Sequence, residues 1–106
     1  GDEDWFELSS EYDDGKLVVC LNSRWYGATT APTIEVYDSS GGLLGEEAGA
    51  TDSSAYPTAD LANLEAPTGT YHLRVVHPDG AGGQPGDWYR ALVFVASFDV
   101  TDYACP

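Results

Sequence analysis

Glycine and proline punctuate nearly the whole length of this chain, and its helix signal is weak. Twelve glycines and six prolines are spread over 106 residues. No stretch of a dozen residues holds a 3.6-residue apolar period. What lies between the interruptions alternates instead. "WFEL" (5–8) sets Phe6 and Leu8 on one face and Glu7 on the other. "PTIEVYD" (32–38) turns Ile34 and Val36 inward and Glu35 outward. "KLVVCLN" (16–22) is apolar without alternation, the pattern of a strand buried on both faces. "TYHLRVVH" (70–77) and "WYRALVFVASFDV" (88–100) are the clearest strands. "YDDGK" (12–16) reads as an Asp-Gly turn, and "DSSGGLLGEE" (38–47) as a turn followed by a short strand. Residues 48–59 read as a loop. "ADLANLEAP" (59–67) spaces Leu61 and Leu64 for either a short strand or one turn of helix. Short strands with turns between them predict an all-β fold. No repeat and no linker divides the chain, so residues 1–106 are expected to form a single antiparallel β-sandwich.

Charge narrows the partners. Eighteen acidic residues stand against four basic ones, a formal net charge of -14, and Lys16 is the only lysine. Nucleic acid backbones and anionic membrane surfaces are repelled by such a chain. No run of about twenty apolar residues is present to span a bilayer. The acids are expected to form a solvated surface, to hold divalent cations or to meet a basic partner. Cys20 and Cys105 are the only cysteines. One such pair in a small lysine-poor chain fits a secreted protein with a single disulfide, and two thiols alone make a poor zinc site. The start at "GDEDWFEL" reads as that of a mature fragment or excised module.

The segment from Gly69 to Val95 invites a catalytic reading, since it contains both histidines and a glycine-rich loop. Strand parity opposes it. In "YHLRVVH", Tyr71, Leu73 and Val75 share the core side, and His72 and Arg74 the other. His77 lies five residues from His72, so the two imidazoles point to opposite faces and are expected as surface or strand-end groups. The glycine run opens onto a strand without the lysine a phosphate loop requires. It is expected to be a hairpin connection. No nucleophile-elbow or triad pattern is present, so catalysis is not expected.

Four segments in order carry a resemblance. They are "DEDWFEL" (2–8), "GKLVVCL" (15–21), "IEVYDSSGGLLG" (34–45), and "LEAPTGTYHLRVVHPDG" (64–80) followed by "GDWYRALVFV" (86–95). The chain resembles the bacterial pre-peptidase C-terminal domain family, small β-sandwiches appended to secreted proteases and other secreted enzymes. The resemblance spans residues 2 to 95. It departs from the family in the run-on end "ASFDVTDYACP", in the extra aromatic of "GDWYRAL", where Arg90 is expected outward and Tyr89, Ala91 and Val93 inward, and in the insertion "NSRWYGATTAP" (22–32). It implies a jelly-roll-like sandwich without catalysis of its own, acting beside a parent catalytic domain. Relatives that bind insoluble substrates or calcium set two further expectations.

Calcium is expected at Asp2, Glu3 and Asp4, which correspond in place to the acids that help hold the ion in collagen-binding relatives. Asp79 and Asp87 flank the glycine loop and are expected to join them. Substrate recognition is expected at Trp25 and Tyr26 beside Arg24, joined by Tyr12 and Tyr37 if these face outward. Trp5, Trp88, Tyr71 and Tyr89 are expected in the core. The function expected is that of a secreted, monomeric, non-catalytic accessory domain of a hydrolase, a protease before other classes. It would bind an insoluble protein or polysaccharide, or assist maturation. A carbohydrate-binding module and a purely structural spacer are the alternatives.

Overall fold

The computed structural model describes residues 3–22, 31–50, 57–77 and 89–98. These form seven strands: β1 (Glu3–Ser10), β2 (Lys16–Asn22), β3 (Thr33–Tyr37), β4 (Leu43–Glu47), β5 (Ala59–Glu65), β6 (Gly69–Val76) and β7 (Arg90–Ala96). A four-stranded sheet runs β1-β6-β3-β4 and a three-stranded sheet β5-β2-β7. All pairings are antiparallel, and the two sheets pack as a β-sandwich. Among the described strands only β3 and β4 are consecutive neighbours in one sheet. Every other connection passes from sheet to sheet.

That topology corrects one reading. β6 and β7 lie in different sheets, so they are not the two arms of the expected hairpin. Turn residues report that a chain reverses, not which sheet it rejoins. The Asp-Gly turn forms as expected and carries the chain from β1 across to β2. It closes through Gly15 N–H to the Tyr12 carbonyl at 3.1 Å.

The core is the alternation made physical. Leu17, Val19 and Leu21 of β2, Ile34 and Val36 of β3, and Tyr71, Leu73 and Val75 of β6 form one buried cluster. Tyr89, Val93 and Val95 pack against it, as expected for Tyr89 and Val93. Ala91 shares their side yet is exposed, because β7 is an edge strand. The centre of β2 is buried on both faces. Its other side carries Val18 and Cys20, clustered with Ala96 and Phe94.

The segment 59–65 resolves as a strand, and its three-residue leucine spacing has a local cause. The register with β2 slips between Leu17↔Leu64 and Val19↔Leu61. One extra residue on β5 forms a bulge there, with Asn63 in the left-handed region at φ 61°. The bulge lets Leu61 and Leu64 both reach the core.

The β3–β4 hairpin turns on Asp38. Its Oδ1 accepts from Ser40 Oγ at 2.7 Å, Gly42 N at 2.8 Å and Ser40 N at 3.0 Å. Gly41 supplies the positive φ of 88°. Those donors, the Ser40 hydroxyl foremost, hold the Asp38 carboxyl below the ordinary carboxylate range. A lowered folded pKa contributes stability that is complete above the unfolded value. That contribution is lost as pH falls through the folded one. Asp38→Ala should therefore melt below wild type at neutral pH, and the two should converge by about pH 2. A constant gap down to that pH in calorimetry would show that the carboxylate's charge is not what holds the turn.

Candidate functional site

Two residue groups stand out at opposite faces of β1 and β6. Register sets the first, on the outer face of the four-stranded sheet. Trp5 of β1 lies opposite Arg74 of β6, which lies opposite Glu35 of β3. One row along, Glu7, His72 and Tyr37 stand side by side. Arg74 lies beneath Trp5, its guanidinium carbon 5.6 Å from the ring centroid. It donates through Nε to Glu3 Oε2 at 2.8 Å, through Nη2 to the same oxygen, and through Nη1 to Glu35 Oε1 at 2.9 Å. The indole Nε1 donates to Glu3 Oε1 at 3.1 Å. Tyr37 Oη donates to Glu35 Oε1 at 2.7 Å, and its ring packs 5.7 Å from Trp5 at an interplanar angle of 37°. The five residues close a ring of contacts that runs through Arg74.

This ring fixes an aromatic surface that remains in water. Trp5 is 52% exposed, which corrects its expected place in the core. Odd-numbered residues of β1 face outward with Glu7, so the indole follows the carboxylates and not Leu8. The Arg74 bonds, ahead of the indole bond, hold the Glu3 carboxyl below its ordinary range. The Tyr37 phenol is pushed up, chiefly by its bond to Glu35.

The second group lies on the inner face at the end of β6. His77 follows the core parity of Tyr71, Leu73 and Val75. It sits at the strand end as expected, yet it is buried, with 6% exposure. Its Nε2 is 3.5 Å from Asp4 Oδ2, which accepts from Tyr89 Oη at 2.9 Å. The His77 and Tyr89 rings lie 5.7 Å apart. Burial, then the Asp4 bond, pushes the Tyr89 phenol well up. His77 Nδ1 is buried with no hydrogen-bond partner among the described residues.

The acidic N-terminus is therefore divided. Glu3 and Asp4 are neighbours in a strand and point to opposite faces, Glu3 to Arg74 and Asp4 to Tyr89. One cation cannot engage both side chains without breaking the Glu3–Arg74 pair. Asp2, Asp79 and Asp87 lie outside the described residues. Among the described residues no three His, Cys, Asp or Glu side chains gather as a metal group.

Of the expected recognition residues, Tyr37 joins the Trp5 surface. Tyr12 is exposed in the β1–β2 turn, on the edge side of the sandwich rather than with Tyr37. Arg24, Trp25 and Tyr26 lie outside the described residues, as does Trp88. Cys20 is buried in β2, the described residues hold no free cysteine, and Cys105 lies outside them. Trp5 as a surface residue was the reading missed. Its signal was present in the parity that places Trp5 with Glu7. The fold defines a β-sandwich domain. No family model matches the chain, and no curated protein matches it significantly.

Proposed function

We propose that this domain is a non-catalytic binding module of a larger secreted hydrolase. In this reading it holds insoluble polysaccharide on the outer face of its four-stranded sheet. The exposed Trp5 carries the reading. Its ring is restrained by Arg74, Glu3 and Tyr37, so little freedom is lost when a flat ligand stacks on it. Covering it with a sugar ring removes apolar surface from water at about 25 cal/mol per Å². The Glu3 and Glu35 carboxylates at its border retain acceptor capacity for hydroxyl groups. Glu7 and Glu46 add negative charge to the same face, so uncharged polymers are favoured over sulfated or uronic ones. The motif order shared with the pre-peptidase C-terminal family supports a protease or another secreted enzyme as the parent chain.

Retention on insoluble chitin, cellulose and collagen tests this. Trp5→Ala should lose retention on a polysaccharide by tenfold or more with its melting temperature unchanged. Retention on collagen alone would give the face to a protein substrate. Loss in Trp25→Ala but not in Trp5→Ala would move the site to residues 24–26. Wild type retained by no matrix would leave only a structural spacer.

Two further parts of the proposal are separable. Calcium taken up at the N-terminal end would use Asp4 rather than Glu3. Millimolar CaCl₂ should then raise the melting temperature of wild type and not of Asp4→Asn, and equal curves would remove calcium. A Cys20–Cys105 disulfide, closing a long loop, would stabilise by roughly 4 kcal/mol. A titratable thiol in the denatured, unreduced chain would exclude it.

A further inference from the structure

Among the described residues β1 and β7 are each an edge strand of their sheet. A cleft of about 250 Å³ lies between them, lined by Leu8, Glu11, Tyr12, Leu17, Val93 and Val95, with Ser9 and Phe94. Its lining identifies what it offers. Val93, Phe94 and Val95 are consecutive, as are Leu8 and Ser9. Consecutive strand residues point to opposite faces, so a cavity that meets them all meets the edges of the strands. β1 bonds to β6 along its whole length. From its other edge, residues Glu3–Ser9 make no backbone hydrogen bond among the described residues. The cleft floor is the fully buried Leu17. Its volume falls below the roughly 300–1,000 Å³ of drug-sized ligand sites, so a narrow extended occupant suits it better than a compact one.

Charge selects the occupant. Glu3 and Glu7 mark the outward positions of β1, and Glu11 is in the cleft lining. A second copy pairing here would set carboxylates against carboxylates between two chains of net charge -14. We propose that the edge of β1 left unpaired among the described residues accepts an extended basic peptide as an added strand. Alternate side chains of that peptide have different surroundings. Those turned inward meet Leu8, Leu17, Val93 and Val95 and are apolar. Those turned outward stand beside Glu3 and Glu7 and are lysine or arginine. Main-chain bonds supply affinity and the alternation supplies selectivity. The proposal shares Glu3 and Glu7 with the Trp5 face but rests on the β1 edge and the cleft rather than on the indole.

The probe is an acetylated, amidated peptide alternating lysine and valine over seven residues. Its controls are the glutamate–valine peptide and the lysine peptide N-methylated at every residue, which keeps its charge and loses its donors. The lysine peptide should bind the full chain, with slowed amide exchange appearing within Glu3–Ser9. The glutamate peptide should not bind, and N-methylation should weaken binding tenfold or more. Glu11→Lys, at an exposed position, should weaken it several-fold with the melting curve kept. Equal binding by the N-methylated peptide would reduce the interaction to charge and overturn strand addition. So would exchange protection confined to other strands. Sedimentation showing self-association that protects β1 and that the peptide cannot reverse would give the edge to a second copy.

Discussion

Gly15→Ala should cost about 3 kcal/mol and lower the melting temperature by roughly 12 °C or more. A methyl at this position would stand 2.2 Å from the Ala66 carbonyl oxygen and 2.6 Å from Ser10 Oγ. Neither neighbour can yield. Ser10 Oγ donates to Ala66 O at 2.6 Å, and Ala66 N donates to Gly15 O at 2.9 Å. Together they tie the β1–β2 crossing to the β5–β6 crossing. Moving the Ala66 carbonyl breaks one buried bond and loosens the other. Gly41→Ala is the control. Its φ of 88° is strained for alanine, but no atom lies within 4 Å of the added methyl, so the cost should be about 1 kcal/mol. Equal melting temperatures for the two variants would show that the close approach at Gly15 is not tight.

Leu73→Ala should cost about 2–5 kcal/mol, a large share of the roughly 5–15 kcal/mol that stabilises a domain. Leu73 is 1% exposed and stands between Phe6 of β1 and Val36 of β3 in the centre of the four-stranded sheet. Truncation leaves a cavity that two hydrogen-bonded neighbours prevent from closing. Leu92→Ala removes the same atoms from an exposed position of β7 and should cost under about 1 kcal/mol. Chemical denaturation of both variants measures the contrast, and equal losses would contradict the assignment of the core.

These predictions rest on features of different legibility. The inward rows of β2, β3 and β6 were readable because a two-residue period directly states which side chains are buried. The strand at 59–65 was readable only as an ambiguity. A three-residue leucine spacing fits a helical turn as well as a bulged strand, and the Asn63 backbone decides between them. Sheet membership was not legible. Turn chemistry in "PDGAGG" and "QPGD" fixes a reversal, whereas the partner of β7 is chosen by packing far away in the chain. Among candidate site residues, Tyr37 was anticipated on the condition that it faces outward. Trp5, expected in the core, lies on that surface instead. Its place beside Tyr37 depends on β1 pairing with β6 and β6 with β3, a juxtaposition no local pattern contains.

The crossings between sheets also govern how the domain comes to exist. Pairing Glu3 with Val76 and Lys16 with Ala96 means that most of the chain is made before either sheet has its central contacts. Only the β3–β4 hairpin can form from local sequence. Loop-closure entropy must be overcome before these distant pairings reward it, which places the chain among slow-folding, high-contact-order β domains. During synthesis β2 waits as an unpaired strand until β5 emerges, and β1 until β6 does. Glu3, Asp4 and Glu7 on β1 then keep that waiting strand from pairing with its copies on neighbouring nascent chains.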